Sequence, residues 1–338
     1  MNRRHAGAFW LSLLFLCLPF ALAGALTFGA VSLSWDQLWS ALLQGPGAIT
    51  SEGLIFWSLR LPRGLGALCA GGVLGVSGVL TQSLTGNPVA EPYVLGLSSG
   101  ASAGAVAVII FGLGSLLFGG GPALGAFLGA LLSLVLVLTL AGKNPSALRL
   151  VLIGMGVGAF FSALTTFSLA QAHNDAQLRT AMYWTLGSLA SLSWGDLPLL
   201  VGALVLSLVP SLFLHRELDL LLAGDEAALT MGLSLGKVKP FVALVAACGV
   251  AFVVSKTGVV GFVGLVAPHV ARKLGGVRHH LLLPLSALVG ALLLLGADTL
   301  ARVLFRPEEL PVGVLTQALG APLFLWLVRK GYRFGGAS

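Results

Sequence analysis

Long apolar stretches alternate with short polar interruptions along the chain. A helix needs roughly 20 apolar residues to cross a hydrocarbon core about 30 Å thick, and most of the stretches reach that length. The pattern predicts an all-α integral membrane protein with about ten spanning helices. The eighth stretch, 258–273, is so short that we expect a broken or tilted helix there. The predicted spans are residues 8–30, 61–83, 94–112, 120–141, 147–171, 194–214, 238–256, 258–273, 280–304 and 311–330.

The first stretch also resembles a secretory signal, because Arg3 and Arg4 precede it and Ala21-Leu22-Ala23 resembles a cleavage site. The apolar core of a signal runs only about 7–15 residues. The apolar run at 8–30 is longer than that, so we expect a helix that is retained.

Composition identifies lipid as the solvent of this chain. Apolar residues make up 57% of it and charged residues 9%, against roughly 25% charged residues in soluble domains. So few charges could not cover a water-facing surface. The net charge of +7 comes without a basic stripe interleaved with aromatic residues, so nucleic acid is not an expected partner. No linker divides residues 1–338, and we expect a single transmembrane domain.

The basic residues predict the orientation. An even number of spans places both termini on one side, and cytoplasmic loops usually carry the excess of Lys and Arg. With a cytoplasmic N-terminus, six basic residues face out: Arg60, Arg63, Arg179, Lys256, Arg302 and Arg306. The other thirteen face the cytoplasm: Arg3, Arg4, Lys143, Arg149, Arg216, Lys237, Lys239, Arg272, Lys273, Arg278, Arg329, Lys330 and Arg333. We therefore predict a multi-pass protein with both termini cytoplasmic.

Glycines recur at the spacing that brings helices close together. A small residue at every fourth position lets two membrane helices approach backbone to backbone. A second set, Gly154, Gly156 and Gly158, is spaced by two and indicates either close packing, which we prefer, or a loosened helix that lines a pathway. The four-residue spacing occurs in Gly71/Gly75, Gly96/Gly100/Gly104 and Gly125/Gly129.

The longest polar interruption between apolar stretches is 223–239. Within the wider segment 216–239, Gly224 can break the chain between two short helices. Asp225 and Glu226 would then lie in the first turn of the second helix, where the helix dipole favours negative charge. The segment is either a rigid two-helix surface that fits a partner or an ordinary amphipathic loop on the membrane.

Two motifs resemble those of enzymes but lack their context. Gly96-Leu97-Ser98-Ser99-Gly100 matches G-x-S-x-G, which requires a preceding strand. Here it opens a membrane helix, so we expect helix packing and an N-terminal cap by Ser. The run 232–237 resembles a phosphate loop but has three residues between its glycines instead of four, and Val238 follows the Lys. We expect no nucleotide site on this chain.

Two further patterns lie at the ends of spans. Asn87-Pro88-Val89 and Asn144-Pro145-Ser146 resemble the half-helix motif of water channels, but a turn after a helix explains them better. Asp298 is the ionisable residue expected deep in a span, and Arg302 lies one turn away. An internal ion pair is at least as good an explanation as a proton relay. An ion-coupled secondary transporter would need more intramembrane carboxylates.

The chain resembles the permease subunits of the ABC importers for iron-siderophores, haem and cobalamin, the FecCD-type family. The resemblance covers residues 60–329 and keeps the family's motifs in order. The motifs are R-L-P-R (60–63), T-G-N-P-V-A-E-P-Y-V-L-G-L-S-S-G-A (85–101), A-G-D-E-A-A-L-T-M-G (223–232), G-F-V-G-L-V-A-P-H-V-A-R (261–272), A-D-T-L-A-R (297–302) and E-L-P-V-G-V-L-T-Q-A-L-G-A-P-L-F (309–324).

The resemblance implies a cobalamin-importer-like fold in the bacterial cytoplasmic membrane, working as a homodimer with the pathway between the two copies. It implies a pair of cytoplasmic ATPase subunits that carry ATP and Mg, and a periplasmic or lipid-anchored binding protein on the other side. This chain would then be no enzyme and hold no cofactor or metal. Its segment 216–239 would carry ATP-driven motion to the helices, giving alternating access.

The resemblance also assigns residues. Arg60, Arg63 and Arg302 would dock the binding protein through its acidic residues, so we expect Arg60→Glu to weaken docking, less so at high salt. We expect Gly224→Pro or Asp225→Arg to uncouple ATP hydrolysis from uptake. The residues assigned to ATPase coupling are Leu222, Ala223, Gly224, Asp225, Glu226, Ala227, Met231 and Gly232. The pathway candidates are Gln82, Asn87, Ser98, Ser99 and His173.

The cargo follows less directly. Anionic chelates would favour a cationic pathway, yet no Lys or Arg lies deep in a predicted span. A mostly apolar pathway suits amphipathic haem, and His173 is either a passing contact for haem iron or a solvated loop residue. We expect haem slightly ahead of ferric siderophores, with cobalamin third and an ion-coupled transporter or pore as the rival class.

Overall fold

The computed structural model describes residues 3–29, 31–114, 121–142 and 145–329, with side chains from Gly7 onward. All regular elements in these ranges are helical. Ile55–Arg60 forms a wider helical turn that joins the helix Ser51–Leu54 to the helix Leu61–Thr85. The helices are α1 (Arg3–Thr27), α2 (Trp35–Gln44), α3 (Ser51–Leu54), α4 (Leu61–Thr85), α5 (Leu97–Phe111), α6 (Gly121–Ala141), α7 (Ala147–Ala170), α8 (Asp175–Leu186), α9 (Leu197–Phe213), α10 (His215–Leu221), α11 (Asp225–Thr230), α12 (Leu235–Thr257), α13 (Val263–Gly275), α14 (His279–Ala301) and α15 (Val312–Arg329).

Ten of these helices correspond to the ten predicted spans. Within the described ranges, eight helical stretches are long and apolar enough to cross a membrane; they contain α1, α4, α6, α7, α9, α12, α14 and α15. The remaining two, α5 with 15 residues and α13 with 13, are shorter. The prediction of an all-α membrane protein is confirmed, and the eighth stretch is short, as expected.

The molecule has two ends, which we name after the small helices there. At the α2 end, the indole Nε1–H of Trp57 donates to Ala41 O at 2.8 Å, and that of Trp194 donates to Trp57 O at 2.7 Å. Tryptophan is favoured at the headgroup level of a membrane, so this end lies at an interface. The α11 end carries α10 and α11.

Basic residues predicted for opposite sides lie at opposite ends. Arg60, Arg63 and Arg302 are at the α2 end, and Lys239 lies at the α11 end, where it pairs with Asp225. Which end is cytoplasmic stays a prediction. Lys143, Asn144, Lys330 and Arg333 lie outside the described residues, as do the side chains of Arg3 and Arg4.

Glycines bring α4 and α14 into backbone contact. A methyl group added to Gly71 would overlap the Gly290 carbonyl, and one added to Gly75 would overlap that of Ser286. The same relation joins Gly100 and Gly104 of α5 to α6. The predicted close approach at four-residue spacing is confirmed at these contacts. Two helices in such contact cannot slide past each other freely.

The second glycine set lies in a continuous helix. A methyl group at Gly154 would overlap the Val94 carbonyl, while Gly156 has open space beside it. Because α7 runs unbroken from Ala147 to Ala170, the preferred explanation, packing at Gly154, is the correct one, and there is no loosened helix.

The two short spans begin partway through the membrane. Gly264, in the first turn of α13, packs against Leu74 and Gly78 near the middle of α4. Gly96, just before α5, packs against Ser133 near the middle of α6. The segments 86–96 and 258–262, which are not α-helical, therefore lie at membrane depth. Such backbone is tolerated there only when it is buried in protein or lines a cavity.

Candidate functional site

At the α2 end, two arginines bind the carboxyl end of α1. The last four carbonyls of a helix have no partner within it, and the last turn of α1 contains no basic residue. Arg60 donates to Leu26 O at 2.6 Å, to Thr27 O at 3.1 Å and to Val31 O. Arg302 donates to Ala25 O at 3.0 Å and to Phe28 O at 3.1 Å. The two side chains therefore supply the missing C-terminal cap of α1.

Asp298 joins two of the three arginines. Its Oδ1 accepts from Nη2 of Arg63 at 2.9 Å and from Nε at 3.0 Å. Arg302 Nε lies 3.2 Å from the other oxygen. The predicted Asp298–Arg302 ion pair is confirmed, but Arg63 is the closer partner. The Asp298 side chain is 0% exposed, and buried carboxylates persist when they are paired and hydrogen-bonded in this way.

A cavity of about 400 Å³ opens beside these arginines. Arg60, Arg63, Arg302 and Glu309 line it, and Glu309 Oε2 accepts from Arg63 Nη1 at 2.7 Å. The three arginines are only 7%, 9% and 4% exposed, respectively. The structure therefore brings the three predicted docking residues together, but it commits them largely to partners within the chain.

At the α11 end, the predicted pair of short helices is confirmed. Gly224 separates α10 from α11 with a φ of 93°, a conformation that costs glycine little. Asp225 and Glu226 lie in the first turn of α11, as expected.

The outer surface of this pair is open and partly apolar. Leu229 and Met231 are 56% and 52% exposed, although they lie outside the spanning helices. The other exposed coupling candidates are Ala223, Gly224, Glu226 and Gly232, whereas Leu222, Asp225 and Ala227 are half-buried.

The inner face of the pair is bonded to the membrane helices. Asp225 Oδ2 accepts from Lys239 Nζ at 2.6 Å, and Lys239, in α12, is 3% exposed. Asp219, in α10, accepts from the backbone N–H of His279 at 2.9 Å and from its Nδ1 at 2.7 Å. Leu218 and Leu221 pack in the same core cluster as Leu84, Leu282 and others. If Asp225 contacts the ATPase as predicted, its carboxylate does so while it also binds Lys239.

The pathway candidates are scattered. Gln82 is 0% exposed and its Oε1 accepts from Arg272, while its amide donates to Ala90 O at 3.2 Å. This is a contact between helices within the chain, and the pathway role of Gln82 stays a prediction. Asn87 accepts from Val89 N at 3.1 Å, which confirms the predicted turn after a helix.

The serine pair and His173 lie elsewhere. Ser98 does not cap α5, because the N-cap position is Gly96 and no side chain bonds there; the predicted serine cap is wrong. Ser99 Oγ accepts from Ser162 Oγ of α7 at 3.3 Å. His173 is exposed before α8, and its backbone N–H donates to Gln177 at 3.3 Å. The structure groups none of these with Gln82 or Asn87.

Sequence reasoning missed a polar group at membrane depth. Glu91 accepts from the backbone N–H of Phe262, and the Tyr93 hydroxyl donates to Val260 O at 3.0 Å. These side chains satisfy backbone groups of Val260 and Phe262 within the segment 258–262. Exposed Gln317 of α15 and Glu91 both approach Gly261. Glu91-Pro92-Tyr93 lies within a quoted motif, but only the fold shows what it contacts.

His279 was missed for the same reason. It lies 60 residues from Asp219 and 196 residues from Ser83, whose Oγ is 2.8 Å from its Nε2. The sequence signal was weak: a His pair, His279-His280, directly before an apolar stretch.

The fold and these two ends define a class, a multi-pass α-helical membrane protein with clusters of charged side chains at both ends of its helices. The FecCD transport family model matches residues 14–330, and the chain belongs to that family. The prediction of a FecCD-type ABC importer permease subunit is thus confirmed. Such transmembrane subunits are not themselves enzymes.

Relatives match along nearly the whole chain. The hemin transport system permease protein HmuU of Yersinia pestis is 38% identical over 335 residues, covering 98% of each chain. The vitamin B12 import system permease protein BtuC of Salmonella paratyphi A is 38% identical over 307 residues, covering 90% of this chain and 91% of that one.

A solved structure matches as well. A protein described as a metal-chelate type ABC transporter in an inward-facing conformation is 33% identical, with a TM-score of 0.83. The match covers 95% of this chain and 98% of that chain.

Proposed function

We propose that this chain is the permease subunit of an ATP-driven importer that moves an iron chelate across the bacterial cytoplasmic membrane by alternating access. Haem is the favoured cargo, ahead of ferric siderophores. The α11 end would be cytoplasmic and bind the ATPases, and the α2 end would meet the binding protein. ATP and Mg would be bound by the ATPase subunits.

The observation that carries the proposal is the α10–α11 pair. Its outer face exposes Leu229 and Met231 beside Glu226, and its inner face is held by Asp225 and Asp219. An amphipathic loop lying on a membrane would turn its apolar side chains toward the lipid and would not need ionic contacts at its inner face. A rigid surface with an apolar tip suits a protein cleft better, and an ATPase is the partner expected in this family.

A second copy of the chain would complete the pathway. Gln317 lies inside the span α15 and is exposed in the single chain, with Glu91 close by. Polar side chains within spans usually face a bundle interior or a water-filled cavity instead of lipid. The exposed face of α15 therefore supports an interface with another copy, and Gln317 joins Ser99 as a pathway candidate.

The arginine cavity supports docking of an acidic partner. Its three guanidinium groups face two carboxylates, those of Asp298 and Glu309, so it keeps a net positive charge. Because Arg60 also caps α1, Arg60→Glu would combine weaker docking with a weaker hold on α1. A change at Glu309, which does not bind α1, separates the effect on docking from the effect on α1.

Two cargoes have specific support. HmuU, a hemin permease by name, matches over 98% of both chains. Lys239, a buried lysine near one end of α12, pairs with Asp225 rather than entering a pathway. BtuC, a vitamin B12 permease by name, is equally identical at 38% over a shorter match. Haem therefore stays the favoured iron chelate, and a cobalamin importer is the alternative function.

The test is uptake into proteoliposomes that contain this chain and its ATPase. Haem, one ferric siderophore and cobalamin are each presented on a binding protein, with and without ATP. We expect ATP-dependent uptake of haem. Uptake of cobalamin alone would replace the cargo and keep the importer. Uptake that ignores ATP would overturn the importer and favour an ion-coupled transporter.

A further inference from the structure

We infer that the hydrogen-bonded chain Ser83–His279–Asp219 is a positioning element that transmits movement of α10 and α11 to the spanning helices α4 and α14. The inference rests on the proposed function and names residues through which coupling would act. Ser83 lies near the end of α4, His279 begins α14, and Asp219 lies in α10. Three elements far apart in sequence therefore meet at one imidazole ring.

The geometry fixes the ring from both sides. A carboxylate only accepts hydrogen bonds, so the Nδ1 that lies 2.7 Å from Asp219 Oδ1 carries a proton. The opposite nitrogen, Nε2, lies 2.8 Å from Ser83 Oγ. Ser83 Oγ also lies 2.9 Å from Val79 O of its own helix, and its single hydroxyl proton serves either that carbonyl or Nε2. A displacement of α10 would therefore reach the backbones of α14 and α4 through short directional contacts.

The order Ser–His–Asp also occurs in hydrolase triads, but this group cannot act as one. Ser83 is 3% exposed and His279 is 0% exposed, so a substrate carbonyl has no route to the hydroxyl. Burial instead suits a mechanical role, because polar networks that are buried and satisfied hold a unique arrangement.

The carboxylate is ionised at neutral pH. Burial alone would raise the pKa of Asp219, but hydrogen bonds from the side chain and backbone of His279 outweigh it and lower the pKa. The contact to His279 is thus charge-assisted, and such bonds are shorter and stronger than neutral ones. Apolar packing of Leu218 alone would hold α10 in place without fixing its register on α14.

The same two helices extend to the other docking surface. α4 and α14 are in backbone contact at Gly71 and Gly290, so they move together. At the α2 end, Arg63 of α4 binds Asp298 of α14. The pair α4 and α14 is therefore hydrogen-bonded to α10 at one end. At the other end the same two helices contribute arginines to the cavity. This is a continuous path between the ATPase surface and the binding-protein surface.

The test measures that communication directly. The complex of this chain with its ATPase is titrated with its binding protein, with and without a non-hydrolysable ATP analogue. The ratio of the two affinities is a coupling factor, and by linkage it is reciprocal between the two ligands. We expect Ser83→Ala and His279→Gln to bring this ratio about fivefold closer to one, which is the value without coupling. A fivefold change is at the lower end of typical allosteric coupling. The affinity without nucleotide should stay unchanged.

Two controls separate coupling from folding. Ser83→Thr keeps the hydroxyl and is expected to keep the ratio. His280→Gln changes the exposed neighbour of His279 and should have no effect. If His279→Gln fails to assemble with the ATPase, Ser83→Ala, which removes a single oxygen atom, decides alone.

The outcomes are distinct. A wild-type ratio in Ser83→Ala and His279→Gln would overturn this inference and leave the importer intact. A ratio of one already in the wild-type complex, together with ATP-independent uptake, would overturn the proposed function itself. A ratio that falls in both variants and is kept in Ser83→Thr would establish the positioning role.

Discussion

Arg63 divides its guanidinium between two carboxylates that differ in exposure. The Asp298 side chain is 0% exposed and the Glu309 side chain 33%. Removing Asp298 would leave Arg63 and Arg302 buried without their shared counter-charge, which is strongly destabilising. The Arg63–Glu309 pair is open to solvent on its Glu309 side, so it contributes less to stability than a fully buried pair. An acidic side chain of a partner could therefore displace Glu309 from its contact with Arg63.

We predict that Glu309→Gln strengthens docking of the binding protein. The change removes a negative charge from the cavity and replaces the ion pair at Arg63 Nη1 by a weaker neutral hydrogen bond. The expected gain is about threefold, since a partly exposed ion pair is worth at most roughly 1 kcal/mol, and it shrinks as salt rises. Binding is measured by titration at two salt concentrations.

The matched control is Glu308→Gln. Glu308 is exposed and adjacent, but it does not line the arginine cavity. Equal gains from both variants would mean a general charge effect, and no gain from Glu309→Gln would argue against displacement at Arg63.

At the scale of elements, an ionic contact joins α11 to α12. Asp225 is 42% exposed at its side chain, whereas Lys239 is 3% exposed and also lies 3.4 Å from Pro145 O. The lysine therefore links α11 to the start of α7 as well. Reversing the charge at Asp225 would leave this buried ammonium facing another cation, so uncoupling by Asp225→Arg would come from a displaced α11.

We predict that Asp225→Arg reduces uptake per ATP hydrolysed, whereas Glu226→Arg, at the exposed neighbouring position, reduces assembly with the ATPase instead.

A double-mutant cycle of Asp225→Ala and Lys239→Met should give an interaction of about 1 kcal/mol, between the values for exposed and buried pairs. Thermal stability and coupled uptake of the four proteins provide the data. Additive effects in the cycle would show that the contact does not matter.

The sequence predicted the long elements well because burial in lipid imposes one strong rule, a run of apolar residues per span. It predicted 61–83 where α4 is Leu61–Thr85, and 280–304 where α14 is His279–Ala301. It failed where apolar sequence is not helical. The predicted span 258–273 includes 258–262, whose backbone is satisfied by Glu91 and Tyr93 instead of by a helix.

The attachment surfaces were predicted only in part. Gly224 and the acidic turn of α11 are local signals, so the two-helix segment could be expected. The contacts of Asp219 with His279, and of Arg63 with Asp298 235 residues away, depend on the tertiary fold. Charge and spacing in a single sequence carry no information on such pairs.

At the scale of the whole molecule, the single chain exposes polar residues within its spans. Exposed Gln317 and the exposed hydroxyl of Ser162 both lie inside spans. A lipid-facing amide is costly, so these positions should face a second copy and the pathway. A single cysteine at 317 should then form a crosslink between copies or react with a water-soluble maleimide, and a lipid-facing position such as Phe20, which is 78% exposed, should do neither.

Orientation is the remaining property of the whole molecule, and it decides which end meets which partner. The predicted excess of Lys and Arg on one side favours a cytoplasmic location for the α11 end. We predict that, with Cys17, Cys69 and Cys248 replaced by serine, a cysteine at Asp175 in α8 is labelled by an impermeant maleimide applied outside intact cells. A cysteine at Glu226 in α11 should be labelled only after permeabilisation. Both native residues are exposed, so access to solvent is matched and only sidedness differs. The reverse pattern would place α10 and α11 outside, where no ATPase could reach them, and the proposed importer would fail with it.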